Sequence, residues 1–452
     1  MHTDHAGHAT SGATSAGIEA FEQASHELRC MILDPVATID RAIAECPAMS
    51  MAHVFKGWLH LLGTEPQALP VARDCIGQAQ RFATTERERS HAAALRAAGE
   101  GRWRDAGRLL EDLSARWPRD ALALHAGHQV DFLCGDSRML RDRIARALPD
   151  WSVSMPAYHA VLGMYAFGLE ETGDYVQAER NGRRAVELQA RDGWAWHAVA
   201  HVHEMRNQPG DGIEWLEPHA AHWSPDSFLA VHNWWHLALF RLERDEVDEV
   251  LRLFDGPIFG ARSAVVFDLV DATAMLWRLH LRGIDVADRW GAVADRWLPI
   301  ARASNFAFND MHAMMSFVGA GRSAACELVF EAQRAAMQRA DDNAAFVREV
   351  GNSATRAIAA FGDGNYAEAV RLLRPIRSYS HRFGGSHAQR DVIDLTLVEA
   401  AIRSGDRALA RALAAERAAR RPDSRVALAC VTRVDRMAPG PTKPDAAEPL
   451  AA

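Results

Sequence analysis

Two pairs of histidines in this 452-residue chain share one spacing: His197 with His201, and His232 with His236. On an α-helix a four-residue interval puts both rings of a pair on one face. Two imidazoles so placed can chelate one transition-metal ion, and a carboxylate can complete a three-ligand site. Glu204 stands three residues beyond His201, on the same face, and is the candidate carboxylate. His203 lies between them in the run His-Ala-Val-Ala-His-Val-His-Glu that starts at His197. The offset between the pairs is 232 − 197 = 35 and 236 − 201 = 35. His197, His201, His232 and His236 are therefore the candidate metal ligands. The His-Glu-x-x-His order of zinc hydrolases is absent from both pairs.

Two further polar runs follow. One holds Asn309, Asp310 and His312, with 312 − 236 = 76; the other holds Ser386, His387, Arg390 and Asp391, with 387 − 312 = 75. A histidine beside a carboxylate and away from bulk water is tuned for proton transfer. Asp391 is four residues from His387 and shares its face. Asp310 is about 200° around the helix from His312, so those two would have to act from different helices. Ser386 follows Gly384-Gly385 and reads as a helix N-cap rather than a nucleophile, since neighbouring helical residues diverge by about 100°. Packing is the competing explanation throughout. Trp194, Trp196, Trp234 and Trp235 flank these histidines, and a histidine beside tryptophan commonly fills a helix–helix seam.

The elements that must position these side chains are helices. Apolar residues recur at three and four, as in Tyr158, Leu162, Tyr165 and Leu169, and strand-like alternation is nearly absent. The pattern Gly-x-aromatic-x-x-Ala occurs at Gly101-Trp103-Ala106, Gly173-Tyr175-Ala178 and Gly364-Tyr366-Ala369. Weaker turns at Gly63, Gly135, Gly210, Arg244, Gly283, Gly321 and Gly405 fill the gaps at intervals of 34 to 43 residues. One turn per period of that length means stacked helical hairpins. Glycine ends the first helix in a left-handed cap, and the small alanine allows close helix approach. The expected fold is all-α: a tetratricopeptide-type superhelix over 18–435, of roughly ten hairpins plus an N-terminal cap. The 35-residue offset then sets the two histidine pairs on neighbouring first helices at one height. His312 precedes its turn by nine residues and His236 by eight, so His312 is expected in the same concave groove. His387, 18 residues before Gly405, fits that phase less well.

The runs HAVAHVHEM at 197–205, HNWWHLALF at 232–240, FNDMHA at 308–313 and GGSHAQRDV at 384–392 resemble the tetratricopeptide repeat protein 38 family. The resemblance covers most of 150–405. It implies a soluble repeat protein and supplies no reaction.

Composition bounds the rest. Hydrophobic residues are 48% and charged residues 24%, so the chain is globular. A net charge of −8 argues against nucleic acid or an anionic membrane as partner. No apolar run is long enough for a membrane span, and the N-terminus lacks a signal pattern. Six cysteines without a C-x-x-C pair suggest buried thiols in a reducing cytoplasm. Residues 1–17 and 436–452 are expected to be disordered, being poor in large apolar groups. The Arg-rich stretch 403–425 reads as the solvated face of a capping hairpin. The primary expectation is a groove that binds a protein segment or small ligand. The alternative is an enzyme, metal-assisted or not, built on the same histidines with Glu204, Asp310, Arg390 and Asp391.

Overall fold

The computed structural model describes residues 2–437. Helices pair in hairpins along the chain, from Ser50–Leu62 with Leu69–Phe82 to His387–Arg403 with Arg407–Arg420. The turn motif explains why. Gly101, Gly173 and Gly364 all take positive φ, and the aromatic two residues on opens the second helix: Trp103–Arg116, Tyr175–Leu188 and Tyr366–Ile376. Ala106, Ala178 and Ala369 are wholly buried where the helices meet. At the Gly63 turn the left-handed residue is Thr64 instead.

First and second helices have different environments. Tyr175–Leu188 buries only Ala178, Gly182 and Ala185. Gly193–Met205 buries every residue from Gly193 to His203. The second helices form a shell, and the first helices form the interior.

That interior is closed, which corrects the expected open groove. The helix His387–Arg403 packs against both Gly193–Met205 and Val266–Leu281. Distant turns also lock together. Asn305 and Asn309 donate to Thr64, at 2.9 and 3.0 Å, and the Asp342 amide donates to the Gly101 carbonyl at 3.0 Å. Polar turn residues on both sides satisfy one another, so the array bends onto itself and its concave face becomes core.

The expected N-terminal tail is folded. His2–Thr3 pairs antiparallel with Ala9–Thr10, and the first helix begins at Ser15. Ser11 donates to Glu88 from its amide (2.7 Å) and its hydroxyl (2.6 Å), and Asp4 lies 3.2 Å from Arg87. Buried charges on Glu86–Gly99 recruit the segment through hydrogen bonds, a term that counting apolar side chains misses. The expected C-terminal tail lies outside the described residues from 438 onward. The Arg-rich segment is also less solvated than expected: Arg417 is buried against Asp391, and Arg421 reaches Glu204 at 3.0 Å. Among the described residues, no helix is long and apolar enough to cross a membrane.

Candidate metal centre

Asp192 caps the helix Gly193–Met205, its carboxylate accepting from the Ala195 amide at 2.9 Å. Small residues on that helix (Ala195, Ala198, Ala200) let its neighbours come close. One neighbour is Ala230–Glu243, which carries the second histidine pair. The 35-residue offset sets the pairs side by side: ring centroids lie 4.7 Å apart for His197 and His232, and 4.5 Å apart for His201 and His236. Across the diagonal, His197 and His236 are 5.2 Å apart. One nitrogen from each of the four rings falls within 4.8 Å of the other three.

These rings have few protein partners. His197 Nε2 and His232 Nε2 approach to 3.0 Å, and His232 Nδ1 meets Asp271 Oδ2 at 2.8 Å. His197 Nδ1 and both ring nitrogens of His201 and of His236 are buried with no protein hydrogen bond. An orphaned buried polar group costs about 1–3 kcal/mol, so five would cost as much as a typical protein's net stability. Burial also sets the charge state. It lowers the affinity of His197 and His236 for protons well below the ordinary range, reinforced by neighbouring His201, and holds His201 at about 3. At neutral pH His197, His201 and His236 are thus uncharged imidazoles, the form that binds metals. Ring nitrogens on a tetrahedral zinc ion, each at about 2.0–2.1 Å, stand about 3.3 Å apart. The 3.0 Å approach is close to that value. Asp271 behind His232 completes the carboxylate–histidine pairing that fixes the tautomer of a metal-binding ring.

The carboxylate beside His201 is not Glu204. Glu170, at the end of Tyr158–Glu170, lies 3.4 Å from His201 Nδ1, and Glu170, Glu171 and His201 form a second cluster of ligand atoms. The two acids divide one proton. Burial, together with the neighbouring Glu171 charge, raises Glu170 well above the carboxylate range. Burial pushes Glu171 the same way, but His387 and Arg390 outweigh it and hold Glu171 low, at about 2. Glu171 accepts from the His387 amide at 2.8 Å and lies 2.9 Å from His387 Nδ1. It thereby caps the helix His387–Arg403 from 216 residues away and ties His387 to the edge of the histidine cluster. Burial opposes charge on His387, and the Glu171 hydrogen bond overcomes it, raising its proton affinity. His387, Glu171, Arg390 and Tyr175 line a cleft of about 720 Å³ open to solvent.

The remaining sequence candidates lie elsewhere. His203 and Glu204 line a separate cavity of about 390 Å³ with Arg278 and Arg421. Asp391 is held by Arg417 at 2.7 and 2.8 Å, not by His387. Asp310 accepts from Ser304 (2.7 Å) and Gln333 (3.1 Å), and burial raises it to about 7. Asn309 donates to Thr64 in the turn-to-turn lock. His312 contacts the Phe308 carbonyl through Nδ1 at 2.8 Å and takes no place in the four-ring cluster. The Arg278 charge bears on both His236 and His312. Ser386 is the N-cap that the glycines before it suggested, accepting from the Gln389 amide at 3.2 Å.

Sequence reasoning missed Glu170, Glu171 and Asp271. Asp271 had a signal: 271 − 236 = 35, one further repeat. The glutamates had none, because they reach the site across the hairpin interface.

No family model matches the chain. Among solved structures, human IFIT1, determined as a dimer with PPP-AAAA, aligns at 12% identity and a TM-score of 0.40, over 97% of this chain and 96% of that one. Yeast Tom70 aligns at 12% identity and a TM-score of 0.33, over 93% and 95%. The tetratricopeptide domain of P58(IPK) aligns at 14% and 0.20, over 87% and 99%. None of them bears on the histidine cluster.

Proposed function

We propose that this chain is a metal-binding helical-repeat protein that holds one divalent transition-metal ion on His197, His201, His232 and His236. One observation carries the reading: one nitrogen from each of four rings converges within 4.8 Å, and both ring nitrogens of His201 and of His236 are buried with no protein hydrogen bond. Four histidines fill a tetrahedral coordination sphere, the arrangement of an ion held for structure rather than for hydrolysis. Glu170 beside His201 offers a fifth donor for an ion of higher coordination number. Packing against tryptophan is the rival account. It describes the contacts of His197 with Trp194 and of His236 with Trp235, but it gives no partner to the buried nitrogens of His201 and His236, nor a reason for four rings to converge. Binding of an extended peptide at these residues has no support, because an exposed lining is what it needs and His201 and His236 are wholly buried.

Elemental analysis of tag-free protein purified without chelator tests the reading. The expected result is a tightly held Zn, Co, Ni or Cu equivalent that His201→Ala/His236→Ala loses. A double variant with unchanged metal content, or one that gains stability with no metal lost, overturns it.

A second reading rests on His387. Its side chain is 42% exposed in a solvent-filled cleft and paired with an ionised Glu171. That pair, with Arg390, suits a small polar ligand and proton transfer to it. The reading gains if a ligand protects His387 from diethylpyrocarbonate, and falls if His387→Ala leaves every ligand-induced shift in melting temperature intact.

A further inference from the structure

A second donor cluster lies at the other end of the Gly193–Met205 helix, and the histidine tetrad does not use it. His26 and Cys30 occupy one face of the last turn of Ser15–Cys30, four residues apart. The Cys30 sulfur is 3.9 Å from His26 Nδ1. His159, from the helix Tyr158–Glu170, completes a set whose ligand atoms all fall within 4.8 Å. A sulfur at about 2.3 Å and a nitrogen at about 2.0–2.1 Å from a tetrahedral ion stand about 3.6 Å apart, close to what is seen.

His159 is the informative member. Its Nδ1 lies 2.7 Å from Asp192 Oδ2, while its Nε2 is buried and has no protein partner. Asp192 is wholly buried, and its other oxygen caps the helix that carries His197 and His201. The carboxylate fixes the ring with the Nδ1 proton toward Asp192 and the Nε2 lone pair free. Carboxylate–histidine–metal sites are oriented in the same way. His232 repeats the device with Asp271 at the first cluster.

From this geometry we infer that His26, Cys30 and His159 form a second metal site, selective for a thiophilic ion such as Zn²⁺ or Cu⁺. A thiolate with two imidazoles is a soft donor set that Mg²⁺ and Ca²⁺ do not favour. Three protein ligands leave one tetrahedral position for water or an exogenous donor. Binding is an exchange: the Cys30 S–H bond breaks, its proton leaves to solvent, and the sulfur lone pair forms the bond to the ion. Burial first, and the Asp192 charge second, push the free thiol up to about 12, so uptake releases one proton near neutral pH. The site ties the first helix to the cap of the central one, and it stands independently of the tetrad reading.

Cobalt titration of the metal-free protein separates the sites, because a sulfur-to-cobalt charge-transfer band arises from Cys30 and not from an all-histidine centre. The wild type is expected to bind two Co²⁺ and to show the near-ultraviolet band. Cys30→Ser should lose the band and one equivalent. His201→Ala/His236→Ala should keep the band and lose the other equivalent. His26→Ala guards against a Cys30 variant that fails to fold, since His26 is only half-buried; it should weaken the band-forming step at least tenfold with the melting curve little changed. A wild type without the band, a band that survives Cys30→Ser, or one indifferent to His26→Ala overturns the inference. A wild type that shows the band but binds only one Co²⁺, with no equivalent depending on His201 and His236, would count against the tetrad and leave this site standing.

Discussion

Burying a charge without its counter-charge is costly, and this chain holds ion pairs both in its interior and on its surface. Asp391 and Arg417 form a two-bond pair in the interior, where the Arg417 side chain is 5% exposed. Arg420 pairs with Asp394 at 3.2 Å, with more than half of its side chain in solvent. Removing one member of a buried pair strands the other, which costs about 3–5 kcal/mol, while exposed pairs contribute less than about 1 kcal/mol. Arg417→Ala should therefore lower unfolding free energy by about 3 kcal/mol in a urea titration, and Arg420→Ala by less than about 1 kcal/mol. Equal losses would mean that Arg417 is not seated as described. The same logic governs His197, His201 and His236. As neutral rings they avoid the penalty of buried charge, but their lone pairs still need partners.

At the scale of elements, the closing of the array depends on turns that meet across large sequence separations. Gly135 ends the helix Ala121–Cys134 with φ +68°, and a Cβ there would collide with the His381 carbonyl, a backbone atom that cannot swing aside. Gly173 takes φ +87° with nothing near its missing Cβ. Both substitutions to alanine carry the left-handed penalty of about 1 kcal/mol. Only Gly135→Ala also pries apart the contact with Ser380–Phe383, the short helix leading toward His387. Gly135→Ala should cut stability by at least twice as much as Gly173→Ala in thermal melts, and should speed amide exchange near His387. Matching effects would place the closing energy elsewhere.

For the whole molecule, the burden of buried imidazoles sets a pH dependence. Burial holds His125 and His312 at about 4 and His128 and His201 at about 3, and holds His197 and His236 well below the ordinary 6.5. Below about 6.5 the unfolded chain takes up protons at these six positions and the folded one refuses them, so stability falls with pH. Five raised carboxyls act the other way: Asp310 at about 7, Asp131 and Asp268 at about 6, and Glu170 and Glu243. These bind protons when folded and gain stability on acidification. Each of these six imidazoles loses about 1 kcal/mol between pH 6.5 and 5.5, and burial also lowers His26, His60, His203, His280 and His381, so the imidazoles outweigh the carboxyls and stability falls on acidification. The metal-free protein should melt several degrees lower at pH 5.5 than at 6.5, and bound metal should restore part of the difference by mass action. A melting temperature that rises on acidification would mean that the imidazoles are hydrated.

The sequence by itself determined the repeat. Its period is written in local turns, where a glycine and an aromatic three residues from an alanine fix three of the hairpins without help from distant chain. The repeat in turn fixed the phase of His197 with His232 and of His201 with His236, because side chains 35 residues apart must share height and face in a stack of equal units. Tertiary structure alone decided which groups surround them. Glu170 and Glu171 come from the preceding hairpin, His387 crosses the interior from 190 residues beyond His197, and Glu204 turns away to Arg421. Those placements depend on how far the array bends before its turns lock, at Thr64 with Asn305 and Asn309 and at Gly101 with Asp342. Curvature accumulates from small rotations at every hairpin interface, and no local motif records the sum. The folded N-terminal segment has the same origin: Ser11 and Asp4 become structural only when Glu88 and Arg87 are presented to them.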